Sequence, residues 1–190
     1  YISQQSSISG TTNNSQVAVQ VVRAVSRLQR IFVSLYKNPT GLYIGPFNKQ
    51  SIMFYHPNYE THDGKYSPDR ELEFQIQLGS KLYPEYPVRS ISECFSILKQ
   101  TLNLPDDHLH SVGIDFKQYY SNKFIFAMSF EKVPESSWTG TNTRSGQLLI
   151  VKCDAVDQGV MPTDIAHLMY ITLVSEQVLE IRDVGTTIFD

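Results

Sequence analysis

Cysteine is nearly missing from this sequence: 190 residues contain two, Cys94 and Cys153. Two thiols cannot build the disulfide framework of a small secreted scaffold. A chain of this length needs none, since area scaling lets folding bury roughly 70% of the extended-chain surface. Free thiols are the expectation. Charge of one sign is lacking as well. Sixteen basic against nineteen acidic side chains leave a net charge of -3, with neither sign gathered into a run. Nothing in that balance marks a nucleic-acid or anionic-membrane footprint. No apolar stretch approaches the ~20 residues that cross a bilayer, and the polar opening Tyr1 to Gln16 holds no signal-peptide core. Neither membrane insertion nor specific nucleic-acid binding is expected. Ten glycines and nine prolines also exclude collagen-like and low-complexity classes.

Catalytic signatures are equally scarce. Neither G-x-x-x-x-G-K-[ST] nor G-x-G-x-x-G occurs, which removes the common phosphate cradles. His108 and His110 have the i, i+2 spacing of a cupin-type metal strand, but Gly113 and Ile114 stand where its glutamate belongs. A metal site needs three or more convergent ligands, so these read as solvated loop histidines. His56, His62 and Asp63 lie in a proline-rich stretch with no nucleophile elbow or cysteine beside them and read as surface residues. The run Asp63 to Asp69 lacks the alternating oxygens of a calcium loop. Tyr83, Tyr86, Tyr119, Tyr120, Phe124 and Phe126 could stack bases, yet few Lys or Arg interleave them, so core and interface packing is the reading. The expectation is a protein that is not an enzyme, with no metal and no cofactor.

What the sequence does contain is alternation. From Glu71 to Leu78, Leu72, Phe74, Ile76 and Leu78 alternate with Glu71, Glu73, Gln75 and Gln77, and period two puts the four apolar side chains on one strand face. Strand patterns also mark Val17 to Val22, Leu28 to Leu35, Lys123 to Glu131, Gln147 to Cys153, His167 to Val174 and Val178 to Arg182. Six or more short strands separated by turn-forming stretches predict an all-β sandwich or barrel. One segment differs: Ile91, Phe95, Leu98 and Leu102 recur at helical spacing. Ser90 and Glu93 have capping-box spacing, and Asn103 and Pro105 stop the element, so one α-helix is predicted near residues 90–103.

Residues 1–15, rich in Ser, Thr, Gln and Asn, read as a flexible linker or arm, and 16–190 as a single domain. The aromatic, proline-rich stretch Lys37 to Asp69 predicts an ordered excursion. A second loop, Pro134 to Gly146, carries the only tryptophan, Trp138.

Several segments together resemble the C-terminal jelly roll of double jelly-roll major capsid proteins of the polinton or adintovirus type, more remotely those of virophages and the adenovirus hexon. The residues that carry the likeness are Arg27 to Val33; Gln77 to Ser90, with Lys81-Leu82-Tyr83-Pro84-Glu85-Tyr86-Pro87 leading into the helix; Asn122 to Ile125; Trp138 to Gly146; and Leu179 to Gly185. The likeness covers about Val25 to Asp190. It implies an all-β antiparallel jelly-roll sandwich of about eight strands, with the one α-helix inserted, that forms the C-terminal half of a longer two-domain protein, in keeping with a first methionine only at Met53. It also implies a structural role in a virion: pairing with an N-terminal jelly roll of the same protein, homotrimeric capsomers, and self-assembly into an icosahedral capsid inside the host cell. Tyr83, Pro84, Tyr86, Pro87, Trp138, Gly140 and Asn142 are then the expected subunit-interface or motif residues. Two other readings compete. A ligand- or glycan-binding sandwich predicts a concave face with a few convergent polar groups, and a cupin-type metalloenzyme needs His108 and His110 to meet a third ligand.

Overall fold

The structure is a computed structural model that describes residues 1–8, 16–36, 71–104, 113–131, 139–155, 168–182 and 185–189. Among the described residues, ten strands and two helices succeed one another along the chain. They are β1 (Ile2–Ser7), β2 (Gln16–Val21), β3 (Leu28–Tyr36), β4 (Leu72–Leu78), β5 (Lys81–Val88), α1 (Ile91–Thr101), α2 (Phe116–Asn122), β6 (Phe126–Ser129), β7 (Leu149–Ala155), β8 (Leu168–Ser175), β9 (Val178–Arg182) and β10 (Gly185–Phe189).

Eight of the strands form two four-stranded antiparallel sheets, ordered β1-β8-β3-β6 and β2-β7-β4-β5. The wiring has a simple logic. Strand β4 pairs with β5, β3 with β6, β2 with β7 and β1 with β8, as though the chain were one long antiparallel hairpin with its tip between β4 and β5. Rolling that hairpin sends successive rungs alternately to the two sheets, which is the double-Greek-key jelly roll. The expected fold class is therefore the observed one. At the tip, Gly79 (φ 60°) and Ser80 make a two-residue turn, where positive φ matches the twist of the flanking strands.

The core lies between the sheets. Leu72, Phe74, Ile76 and Leu78 are buried on β4 while Glu71, Glu73, Gln75 and Gln77 between them are not, as the alternation requires. Phe74 crosses the sandwich to stack on Phe126 of β6, with centroids 4.8 Å apart and planes 13° apart, and also meets Phe124 at 5.7 Å. These contacts join the two sheets directly.

Helix α1 starts as its sequence specifies, with the Ser90 side chain accepting from the Glu93 N–H at 3.0 Å. The reciprocal half of the capping box reaches one residue further back, to the Arg89 N–H at 3.4 Å. At the other end Asn103 adopts φ 55°, and the Leu104 N–H returns to the Lys99 carbonyl. The buried stripe is Ile91, Cys94, Leu98 and Thr101 rather than the predicted Ile91, Phe95, Leu98 and Leu102. Phe95 turns instead to the unpredicted helix α2, meeting Tyr119 at 4.8 Å and Phe116 at 5.9 Å. Asp115 caps α2 by accepting from the Gln118 N–H at 2.7 Å.

The reading of residues 1–15 as a flexible arm is corrected for 2–7, which form β1 in a six-residue ladder with β8. Polarity misled there. An edge strand needs main-chain partners more than apolar side chains, and Ser and Gln satisfy a half-exposed edge. Two further strands lacked a pattern. Prolines disguise β5, which sits at a sheet edge where they are tolerated, and β10 pairs with β9 in a separate two-stranded ribbon.

Candidate assembly surface

Among the expected interface residues, four lie on β5 at the edge of its sheet, and the ladder there explains their spacing. Ile76 faces Tyr83 and Phe74 faces Val88, so β4 advances two residues while β5 advances five. The surplus of three throws Pro84 to Pro87 outward as a bulge. Two of those residues lack an N–H to donate, and the carboxamide of Gln75 holds the carbonyls, donating to Pro84 O at 3.0 Å and Glu85 O at 3.2 Å. Both ends are anchored. Tyr83 is half-buried with its ring 5.1 Å from Phe130, and Val88 is fully buried. Just beyond, Arg89 Nε bonds Glu73 Oε1 at 2.6 Å.

The result is a braced edge that presents side chains rather than a free ladder. Tyr86 is 79% exposed at the top of the bulge and Leu82 is 41% exposed below it. Proline and a bulge make the edge a poor template for strand addition, while a Tyr held on rigid backbone suits a side-chain contact at small entropic cost.

The Thr139 to Arg144 segment is accounted for by contacts inside the domain. Thr141 exchanges two 2.9 Å backbone bonds with Leu28, an isolated bridge that ties this segment to the start of β3. Gly140 has φ 146°, and a Cβ there would sit 3.0 Å from Arg27 C and Leu28 O, so glycine is required for the close approach. Asn142 Oδ1 accepts from the Arg144 N–H at 2.7 Å and shapes the turn. Thr143 is buried and grips Val25 from both sides: its hydroxyl accepts from Val25 N–H at 2.8 Å and donates to Val25 O at 2.9 Å. Gly140 and Asn142 thus act within the fold. Trp138 lies outside the described residues, as do His56, His62, Asp63, His108, His110 and the stretch 37–70.

The chain matches no protein-family model, no curated protein and no solved structure. Function must be read from the molecule.

Among the described residues no three His, Cys, Asp or Glu side chains gather into a metal-holding group. Both thiols are free and buried, and burial pushes each well above the ordinary thiol range, so neither has the thiolate character of a nucleophile. Burial likewise raises the Tyr119 phenol, whose hydroxyl donates to Ile125 O at 2.8 Å and serves packing. A cleft of about 210 Å³ opens beside Val22, Arg23, Arg144 and Leu148. It is smaller than the ~300–1,000 Å³ of small-molecule sites. No helix among the described residues is long and apolar enough to cross a membrane.

Among the described residues, six large apolar side chains that remain exposed fall into pairs, Leu82 and Tyr86 on the β5 edge, Val22 and Leu148 at the cleft, and Ile181 and Ile188 on the β9-β10 ribbon; Tyr1 and Phe116 are exposed as well. The sequence marked Tyr86 through its motif. It missed Ile188, because β10 shows no recognisable alternation over five residues.

Proposed function

We propose that this chain is a structural, self-assembling subunit: the second jelly roll of a double jelly-roll capsid protein. It pairs with an N-terminal jelly roll of the same protein, and three such protomers form a capsomer of an icosahedral virion shell. The observation that carries the reading is the braced β5 bulge. Lys81 to Pro87, the most specific part of the family likeness, is an edge segment leading directly into α1 and offering exposed Leu82 and Tyr86. The jelly-roll wiring supports the reading without deciding it, because this architecture also serves lectins and cupins. An edge that displays an exposed tyrosine and leucine on a braced backbone suits contact with copies of the same molecule.

The test is assembly. Mass photometry of this chain joined to its partner jelly roll is expected to give trimers and larger shells. Tyr86→Ala should weaken trimer association by about 30-fold, the ~2 kcal/mol of an interface anchor, and leave the melting temperature unchanged because the side chain is exposed in its own domain. A strictly monomeric protein at all concentrations would overturn the reading.

A further inference from the structure

Strand β1 is held in an unusual way. Its inward positions are Ile2, Gln4 and Ser6, so a single inward side chain of the strand is apolar, with Ile8 buried just after it. What holds it is main chain and amide. Six residues run in register along β8, from Ile2 opposite Leu173 to Ser7 opposite Leu168, and Ser3 Oγ lies 3.1 Å from Thr172 Oγ1. On its other side the Gln4 carboxamide crosses to the second sheet. Its Nε2 donates to Gln20 O at 2.9 Å, and its Oε1 accepts from Val22 N–H at 2.9 Å. The amide thereby takes the place of a strand neighbour at this edge of β2.

Together the β8 edge and the Gln20 to Val22 edge make an acceptor slot for one extended strand. The slot reads main-chain groups along six residues, a glutamine at the third ladder position, and isoleucine at two anchors. Those requirements are met by β1 of any copy of this chain. Residues 9–15, Ser-Gly-Thr-Thr-Asn-Asn-Ser, contain no large apolar side chain, and seven residues can span at most roughly 25 Å, so exchange is open only to a copy whose slot lies within that reach. Exchange leaves the bond inventory unchanged, since each hydrogen bond given up within one copy is remade in the next, and such swapping is a low-cost route to assembly.

We propose that the β8–β2 slot is a strand-acceptor site whose occupant in the assembled state is β1 of a second copy. The inference rests on the self-assembly reading and adds the device that links subunits. It also gives the polar opening segment a role that the sandwich core does not require of it.

Single-cysteine variants decide it. Ser3→Cys and Thr172→Cys, on facing residues, are co-expressed on differently tagged chains and oxidised with copper phenanthroline; buried Cys94 and Cys153 stay out of the reaction. Because each chain carries one new thiol, a disulfide between them requires β1 of one copy on β8 of another. A covalent heterodimer on a non-reducing gel, lost when Gln4→Ala is added to the Ser3→Cys chain, is expected. The double variant in one chain reports that the geometry permits the bond. Absence of the heterodimer while the double variant closes its intrachain bond overturns the proposal. If sedimentation still finds oligomers in that case, self-assembly stands and only the exchange falls. A sample that is monomeric as well as uncrosslinked removes both.

Discussion

Replacing Thr143 by valine removes one hydroxyl and keeps the shape of the side chain, so the Val25 clamp can be weighed alone. In the wild-type chain the hydroxyl satisfies Val25 N–H at 2.8 Å and donates to Val25 O at 2.9 Å. The carbonyl keeps a second partner, the Thr143 N–H at 2.9 Å, whereas the Val25 N–H would be orphaned, since Val25 is 2% exposed. An unpaired buried donor costs about 1–3 kcal/mol, and the added methyl recovers none of it. For a domain of this size about 2 kcal/mol corresponds to a fall in Tm of roughly 4–8 °C. Thr143→Ser is the matched control. It keeps the hydroxyl and loses a methyl, worth about 1 kcal/mol or less. Differential scanning calorimetry should therefore rank wild type above the serine variant and the serine variant above the valine variant. A valine variant as stable as wild type, with serine the weaker, would mean that the methyl matters and the hydrogen bonds do not.

Other perturbations read the rest of the fold. Phe74→Ala empties the site between Phe124 and Phe126 and should cost about 3–5 kcal/mol in urea denaturation, while Phe74→Asp should yield no cooperatively melting protein because it buries an unpaired charge. Gly140→Ala puts a Cβ 3.0 Å from the Arg27 and Leu28 backbone at a φ of 146°. It should cost more than about 1 kcal/mol, and a neutral result would show that this segment gives way freely. Cys94 and Cys153 are 0% exposed and their thiols are raised by burial, so Ellman's reagent at pH 8 should find no reactive thiol in the folded protein and both after denaturation. Rapid labelling of the native protein would place α1 or β7 in equilibrium with an open form.

What could be read without coordinates was whatever repeats locally. The four apolar side chains of β4 alternate within eight residues, and Ser90 caps a helix whose stop signals follow within a short window, so strand, helix and an all-β sandwich or barrel followed from period and capping, while the jelly roll rested on the family likeness. The TGTNT run was legible as a motif, but its meaning was not. Thr143 holds Val25 across 118 residues, and Gly140 is needed because the backbone of Arg27 passes beside it.

Strand β1 shows the same limit from the opposite side. Its Gln and Ser side chains carry no strand signal. They become a strand because β8, 169 residues away at the Ser3 and Thr172 pair, offers a ladder and β2 offers an edge that one glutamine can close. The bulge in β5 likewise exists only against the register of β4. Local chemistry along the chain set the alternation, the caps and the turn at Gly79. Which strands are neighbours, which edge bulges and which side chains stay uncovered were decided by long-range pairing, because a hydrogen-bond ladder depends on the partner's register and not on the strand's own residues.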